Sequence, residues 1–299
     1  MGELTTRPAT AEDVPAVQRL VATCEQDLDG RVAVTLDAVA ADLTRPGLDL
    51  ARDTLLVFDG SGELAGRAWV HLGRRAEVDV HPDQRGRGLG TRLLSWVEAR
   101  ARELGSERLG QNVADADRAA AGLLEAHGYE DRGSSWLLEI ALTGEPVVPA
   151  LPDGITIRPF RPGDEDATYR LTEDAFNEWP ERRPRGYDEW ARYNIDRPAF
   201  APAFSPLAFD GDRLVGAVLS LDRDRTEGYV HSVAVHRKYR HRGIARALLR
   251  QAFLGFHRQG RRTCALWTHS GTGALTLYQR IGMTVRQRST HYSKALTST

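Results

Sequence analysis

The 299-residue chain holds only two cysteines and two methionines, its charges nearly cancel, and it has no long apolar run. Each scarcity closes a class of function. Cys24 and Cys264 fall in different halves with no metal-like spacing, so neither a disulfide framework nor a zinc site is expected, and both read as small buried residues. A formal charge of -1 argues against nucleic acid as a main partner, because binding a phosphate backbone needs a basic excess on one face. Nothing approaches the roughly 18 apolar residues of a membrane span. The N-terminus also lacks the charged-then-apolar pattern of a signal peptide, so a cytoplasmic protein without membrane contact is expected. Gly2 and Thr6 fit a myristoylation pattern formally, a match short enough to arise by chance.

What remains is ordinary globular composition, 41% hydrophobic and 27% charged, in a length that suits two domains of roughly 150 residues. Residues 143–154 (TGEPVVPALPDG) are rich in Pro and Gly without an amphipathic period, which marks a linker between domains at 1–142 and 155–299. The two sides begin alike, LTTRPATAEDV from Leu4 and ITIRPFRPGDED from Ile155. Each continues with an apolar strand (55–58; 207–209), an Asp-Gly turn, a second strand (64–71; 214–221) and a third (76–80; 229–235). An Arg- and Gly-rich loop follows, then an amphipathic helix. Leu93, Leu94, Val97, Ala101 and Leu104 share one face of the first helix; Leu248, Leu249, Ala252, Phe253 and Phe256 share one face of the second. Arg85 and Arg240 of the two loops lie 155 residues apart, and each is followed 43 or 42 residues later by Gly128 or Gly282. A mixed α/β (α+β) architecture, a sheet with helices on its faces made twice, is the natural reading.

The loops are Arg85-Gly86-Arg87-Gly88-Leu89-Gly90 and Arg240-His241-Arg242-Gly243-Ile244-Ala245. Small residues let backbone approach a ligand, and the unpaired N–H groups of the helix that follows, with its dipole, make an anion cradle. A Walker loop is excluded by the lack of Gly-Lys-Ser/Thr, and the glycines do not fit the Rossmann spacing. The basic run from His236 to Arg242 reads as phosphate recognition beside this loop, and His231, His236 and His241 lack the spacing of metal ligands on a helix face.

Both loops resemble the acetyl-CoA pyrophosphate motif of the GNAT acetyltransferase family, Arg/Gln-x-x-Gly-x-Gly/Ala after a strand ending in Val, and the resemblance spans nearly the whole chain in two copies. It implies two tandem GNAT-like domains, each with a mixed, mostly antiparallel sheet flanked by helices. It also implies acetyl-CoA as cofactor, its pantetheine arm held by Val233 and Val235 in one half and by Val78 and Val80 in the other.

The halves differ where the family often places a tyrosine. Leu277-Tyr278-Gln279-Arg280-Ile281-Gly282-Met283 matches the pattern; Leu123-Leu124-Glu125-Ala126-His127-Gly128-Tyr129 has leucine in its place. When an amine attacks a thioester the sulfur leaves as a thiolate, which a hydroxyl can protonate or hydrogen bond and leucine cannot. The amine must first be neutral, and a Lys-like amine titrates near about 10.4, so a base or water relay is expected. The family's Glu is missing from the core of the strand before the loop, leaving His231 and Glu227 as candidates and an N–H near Val233 for the oxyanion. Gly271 stands where related sequences often carry Asn, with Thr268, His269 and Ser270 as replacements.

In this fold the acceptor region corresponds to residues 176–204, where Glu178, Trp179, Tyr187, Asp188, Glu189, Trp190 and Tyr193 suit a small cationic amine if the aromatics are not simply core. The first reading is thus an acetyl-CoA-dependent N-acetyltransferase acting on a small-molecule amine in its C-terminal half. A sensor or structural protein that binds acyl-CoA without turnover, or a protein or peptide N-acetyltransferase, are the alternatives.

Overall fold

The computed structural model describes residues 4–178, 182–222 and 226–296. It divides into two compact units. One comprises Met1–Ser134 with Arg288–Thr299, and the other comprises Ser135–Gln287.

In the N-terminal unit the strands run β1 (Thr5–Arg7), β2 (Thr54–Phe58), β3 (Leu64–His71), β4 (Arg75–Val80) and β5 (Arg108–Ala114), in that spatial order. Its helices are α1 (Val14–Asp29), α2 (Leu36–Leu43), α3 (Leu50–Asp53), α4 (Leu89–Glu103) and α5 (Arg118–Ala126). The C-terminal unit repeats the plan with β7 (Ile155–Pro159), β8 (Pro206–Asp210), β9 (Arg213–Asp222), β10 (Glu227–Val235) and β11 (Thr263–His269), and with α6 (Glu165–Phe176), α7 (Tyr187–Asn194), α8 (Ile244–Arg258) and α9 (Leu275–Arg280). All neighbours are antiparallel except β4 with β5 and β10 with β11.

The last strand of each unit comes from the other half of the sequence. Ser135–Ala141 of β6 (Glu130–Ala141) pairs with β11, while Ser289–Ala295 of β12 (Thr284–Ala295) pairs with β5. The unit borders therefore fall at 134/135 and 287/288, and the expected linker at 143–154 lies inside the second unit. The physical reason is that β6 and β12 each extend a sheet edge whose hydrogen bonds must be met, and either strand meets them.

The helices carry the expected apolar stripes. Leu93, Leu94, Val97 and Ala101 of α4 are buried, and so are Leu248, Leu249, Ala252, Phe253 and Phe256 of α8. Leu104, just beyond α4, is exposed, since it caps the helix rather than continuing its face. Packing of α8 on its sheet is close enough that a Cβ on Gly228 would lie 2.4 Å from the Phe256 ring, so only glycine fits there. Each half is also pinned at its first strand by a matching ion pair, Arg7 with Asp13 at 2.6 Å and Arg158 with Asp164 at 2.7 Å.

Candidate active site

β10 and β11 pair only from Glu227↔Thr263 to Val230↔Leu266, although β10 runs on to Val235 and β11 to His269. Beyond Val230 the strands part. The open edge between them is a slot whose unpaired backbone groups suit strand-like hydrogen bonding to an extended ligand. At the parting point the β9–β10 ladder shifts register between Val230 and Ser232, which makes His231 the extra residue of a β-bulge. In the N-terminal unit β4 and β5 register only at Arg75↔Gly110, so they part as well, but β3 and β4 pair without a shift. Matching Gly66↔Val80 with Gly216↔Val235 sets Glu77 in the place of Ser232 and shows His231 as one residue more than β4 contains.

His231 faces α7: its ring lies 4.9 Å from Tyr193 and 6.3 Å from Tyr229. Ser232 Oγ is buried with no hydrogen-bond partner among the described residues. Glu227 sits four residues before His231, about 13 Å along the strand. Its carboxylate accepts from Arg286 Nη1 at 2.6 Å, so it is engaged at the paired end of β10, away from the slot. Val233 and Val235 pack on the core beneath α8, and Val78 and Val80 on that beneath α4, which leaves their backbone at the open edge.

Both loops bare their backbone where α4 and α8 begin. Gly86, Gly88 and Gly243 have φ of 72°, 81° and 83°, and His241 takes the same left-handed form at 62°. A Cβ on any of the three glycines would meet no protein atom within 4 Å. Leu89 and Ile244 turn their side chains into the core, while Gly90 packs close to Leu123 and Val80, so these positions offer N–H groups rather than side chains. A bare, left-handed turn running into a helix N-terminus beside an open strand edge fits a pyrophosphate followed by an extended arm.

The arginines are committed within the protein. Arg240 Nε donates to the Val235 carbonyl at 3.1 Å and its Nη1 to Glu178 at 2.7 Å; Arg85 Nη1 donates to Asp27 at 2.6 Å. Arg242 lies over the Tyr239 ring at 5.3 Å, and Arg87 donates to Gln84.

Tyr278 projects from α9 and is buried, and burial pushes its hydroxyl up to about 12. Leu124 fills the corresponding place in α5. Ahead of α9, Thr272 Oγ1 bonds Thr268 Oγ1 at 2.9 Å, donates to the His269 carbonyl and accepts from Ala274 N–H.

In the acceptor region Trp179 lies outside the described residues. Trp190 is 1% exposed and packs on Tyr169 with Tyr187 nearby, so it builds the core and cannot touch a substrate. Tyr187 keeps an exposed edge, and Glu178 is held by Arg240. Sequence reasoning did not single out Arg185, over the Tyr193 ring at 4.4 Å, or Trp267, a tryptophan 41% exposed in mid-strand. Its alternation in β11, where Leu266 faces α8, puts Trp267 on the sheet face that carries Tyr229.

The corresponding face of the N-terminal unit is filled differently. Arg67 Nε donates to Asp79 at 2.7 Å and its Nη2 to Glu77 at 3.3 Å, and Trp69 Nε1 also donates to Glu77 at 3.2 Å. Burial raises the Glu77 carboxyl against the pull of Arg67. Among the described residues no group of three or more His, Cys, Asp or Glu is arranged to hold a metal ion, and no helix is long and apolar enough to cross a membrane.

In both units the strands part beside a glycine-bearing helix start, so the same architecture is used twice. Residues 20–129 and 166–283 match the Acetyltransferase (GNAT) family, and the chain belongs to it. Similar proteins include the mycothiol acetyltransferase of Actinosynnema mirum, 31% identical over 98% of this chain and 100% of that one, and that of Geodermatophilus obscurus, 32% identical over 85% and 89%. A GCN5-related N-acetyltransferase structure from Sphaerobacter thermophilus superposes with a TM-score of 0.85 at 34% identity, covering 99% of this chain and 96% of that one. A tandem GNAT protein from the clavulanic acid biosynthesis pathway shares the fold at a TM-score of 0.76 and 18% identity, over 99% and 100% of the chains.

Proposed function

We propose that this protein transfers an acetyl group from acetyl-CoA to a primary amine of a small molecule, and that the C-terminal half does the chemistry. The observation that carries this reading is the asymmetry at one position: a buried tyrosine hydroxyl at Tyr278 against the alkyl side chain of Leu124. The N–H groups at Gly243, Ile244 and Ala245 would hold the pyrophosphate, and the β10 edge from His231 to Val235 would hold the pantetheine arm. Bound there, acetyl-CoA supplies an activated acyl carbon to the amine.

Residues of this chain then manage two protons and one oxyanion. His231, set out from the ladder by the bulge, takes the amine's proton directly or through water. A β10 N–H near Val233 meets the oxyanion. Tyr278 donates a hydrogen bond to the leaving sulfur. Burial pushes the Tyr278 hydroxyl up to about 12, which favours a hydrogen bond to the thiolate over full proton transfer, and the net proton comes from the amine. The N-terminal half keeps the loop but lacks that hydroxyl, which supports acyl-CoA binding without turnover there.

Amine-dependent release of CoA thiol, measured for wild type and Tyr278→Phe across small amines, aminoglycosides and peptides, tests the reading. Release restricted to small amines and lost in the variant supports it; release with peptides alone would move the acceptor to the protein class.

A further inference from the structure

We infer that the acceptor site selects amines that also carry an oxyanion, a carboxylate or a phosphate, and that Arg185 binds that group; this rests on the acetyl-transfer reading above. The Arg185 guanidinium lies 4.4 Å over the Tyr193 ring, whose other neighbour at 4.9 Å is His231, the bulge residue at the mouth of the slot. A fixed cation is thereby set one ring away from the proposed proton acceptor. Its backbone is pinned on both sides: the N–H donates to Glu173 Oε2 at 3.0 Å and the carbonyl accepts from Tyr169 at 2.8 Å. Glu173 is itself buried and also receives Arg182 at 2.6 Å.

Two of the three carboxylates that suggested a cationic acceptor, Glu178 and Glu189, stand beside arginines, and so does Glu173 nearby. Glu178 is bound by Arg240 and Glu173 by Arg182, while Glu189 stands 3.6 Å from Arg185 Nε with its side chain 57% exposed, a loose pair that an incoming oxyanion displaces at little cost. Between 182 and 197 the sequence has five arginines against three carboxylates. A planar guanidinium stacked on an aromatic ring keeps its donor edge for a bidentate oxyanion.

Amines alike but for the anion, ethanolamine with phosphoethanolamine and propylamine with β-alanine, are titrated calorimetrically into the full chain saturated with CoA, and the same pairs are assayed for acetyl-CoA turnover. The anionic member of at least one pair should bind about tenfold more tightly or better, the pair that responds telling phosphate from carboxylate. Arg185→Gln should bring that ratio near one while melting temperature and CoA binding stay as in wild type, and Arg185→Lys should restore only part of it. Equal binding within both pairs, no binding by any amine, or a ratio that survives Arg185→Gln overturns the inference. A ratio without turnover leaves the anion site standing and removes the transfer reading; turnover without a ratio does the reverse.

Discussion

Arg240 ties the end of β10 to the segment after α6: its Nε bonds the Val235 carbonyl and its Nη1 bonds Glu178, at 3.1 and 2.7 Å. Arg85 repeats the bond to an acid in the other half through Asp27. In both halves the signature arginine of the loop is thus bonded to a carboxylate of the same unit. Arg240 and Glu178 are 36% and 41% exposed, and pairs of that kind contribute about 1 kcal/mol or less, so a pyrophosphate can compete with Glu178. Glu178→Gln should tighten CoA binding up to about fivefold by removing the competitor, and Arg240→Gln should weaken it. Calorimetric titration with CoA checks both signs.

Tyr278→Phe removes one buried oxygen and little volume. Its kcat should fall by about 10² or more, with CoA affinity and melting temperature held. Leu124→Tyr, the reverse change in the N-terminal half, should not create activity, because the opposite sheet face of that unit, matching the one that carries Tyr229 in the C-terminal unit, is filled by Arg67, Glu77 and Asp79.

Deleting His231 gives β10 the regular pairing that β4 has. The unit should still fold cooperatively, since the ladder gains a continuous register, but turnover should be lost because the deletion removes the proton acceptor together with the bulge that sets it out. Thermal melts alongside steady-state rates separate the two effects.

Gly243 holds φ at 83°, a form that costs other residues about 1 kcal/mol or more. Gly243→Val should lose modest stability and much more CoA affinity, because its side chain would enter the open space before the helix start.

Asp13 accepts from Arg7 and from Thr10, which holds its carboxyl at about 2 instead of 3.8. A depressed folded-state value means the pair stabilises fully above about pH 4 and loses its contribution as pH falls toward 2. Asp13→Asn should lower the melting temperature at pH 7 and show a shallower loss between pH 4 and 2 than wild type.

Much of this was legible in the sequence because it is local. Arg85, Gly88, Arg240 and Gly243 stand in a repeat, and a strand, a left-handed turn and a helix start follow from residue types within a dozen positions. The exchange of β6 and β12 was not legible, because strand partners far apart in sequence are chosen by sheet edges rather than by local pattern. The bulge at His231 is a single extra residue, visible only once Gly66 and Gly216 are matched through their ladders. Trp190 and Tyr193 sit three apart on one short helix, yet one is core and the other stacks on His231, a division that depends on what α7 packs against. Glu178 read as a substrate contact because its arginine partner lies 62 residues away.

The most direct test is thiol release from acetyl-CoA in the presence of small primary amines, with wild type and Tyr278→Phe compared at equal CoA occupancy. Amine-dependent release that collapses in Tyr278→Phe is the expected result. Full occupancy by CoA with no amine-dependent release, or release undiminished by the substitution, would contradict catalysis in the C-terminal half.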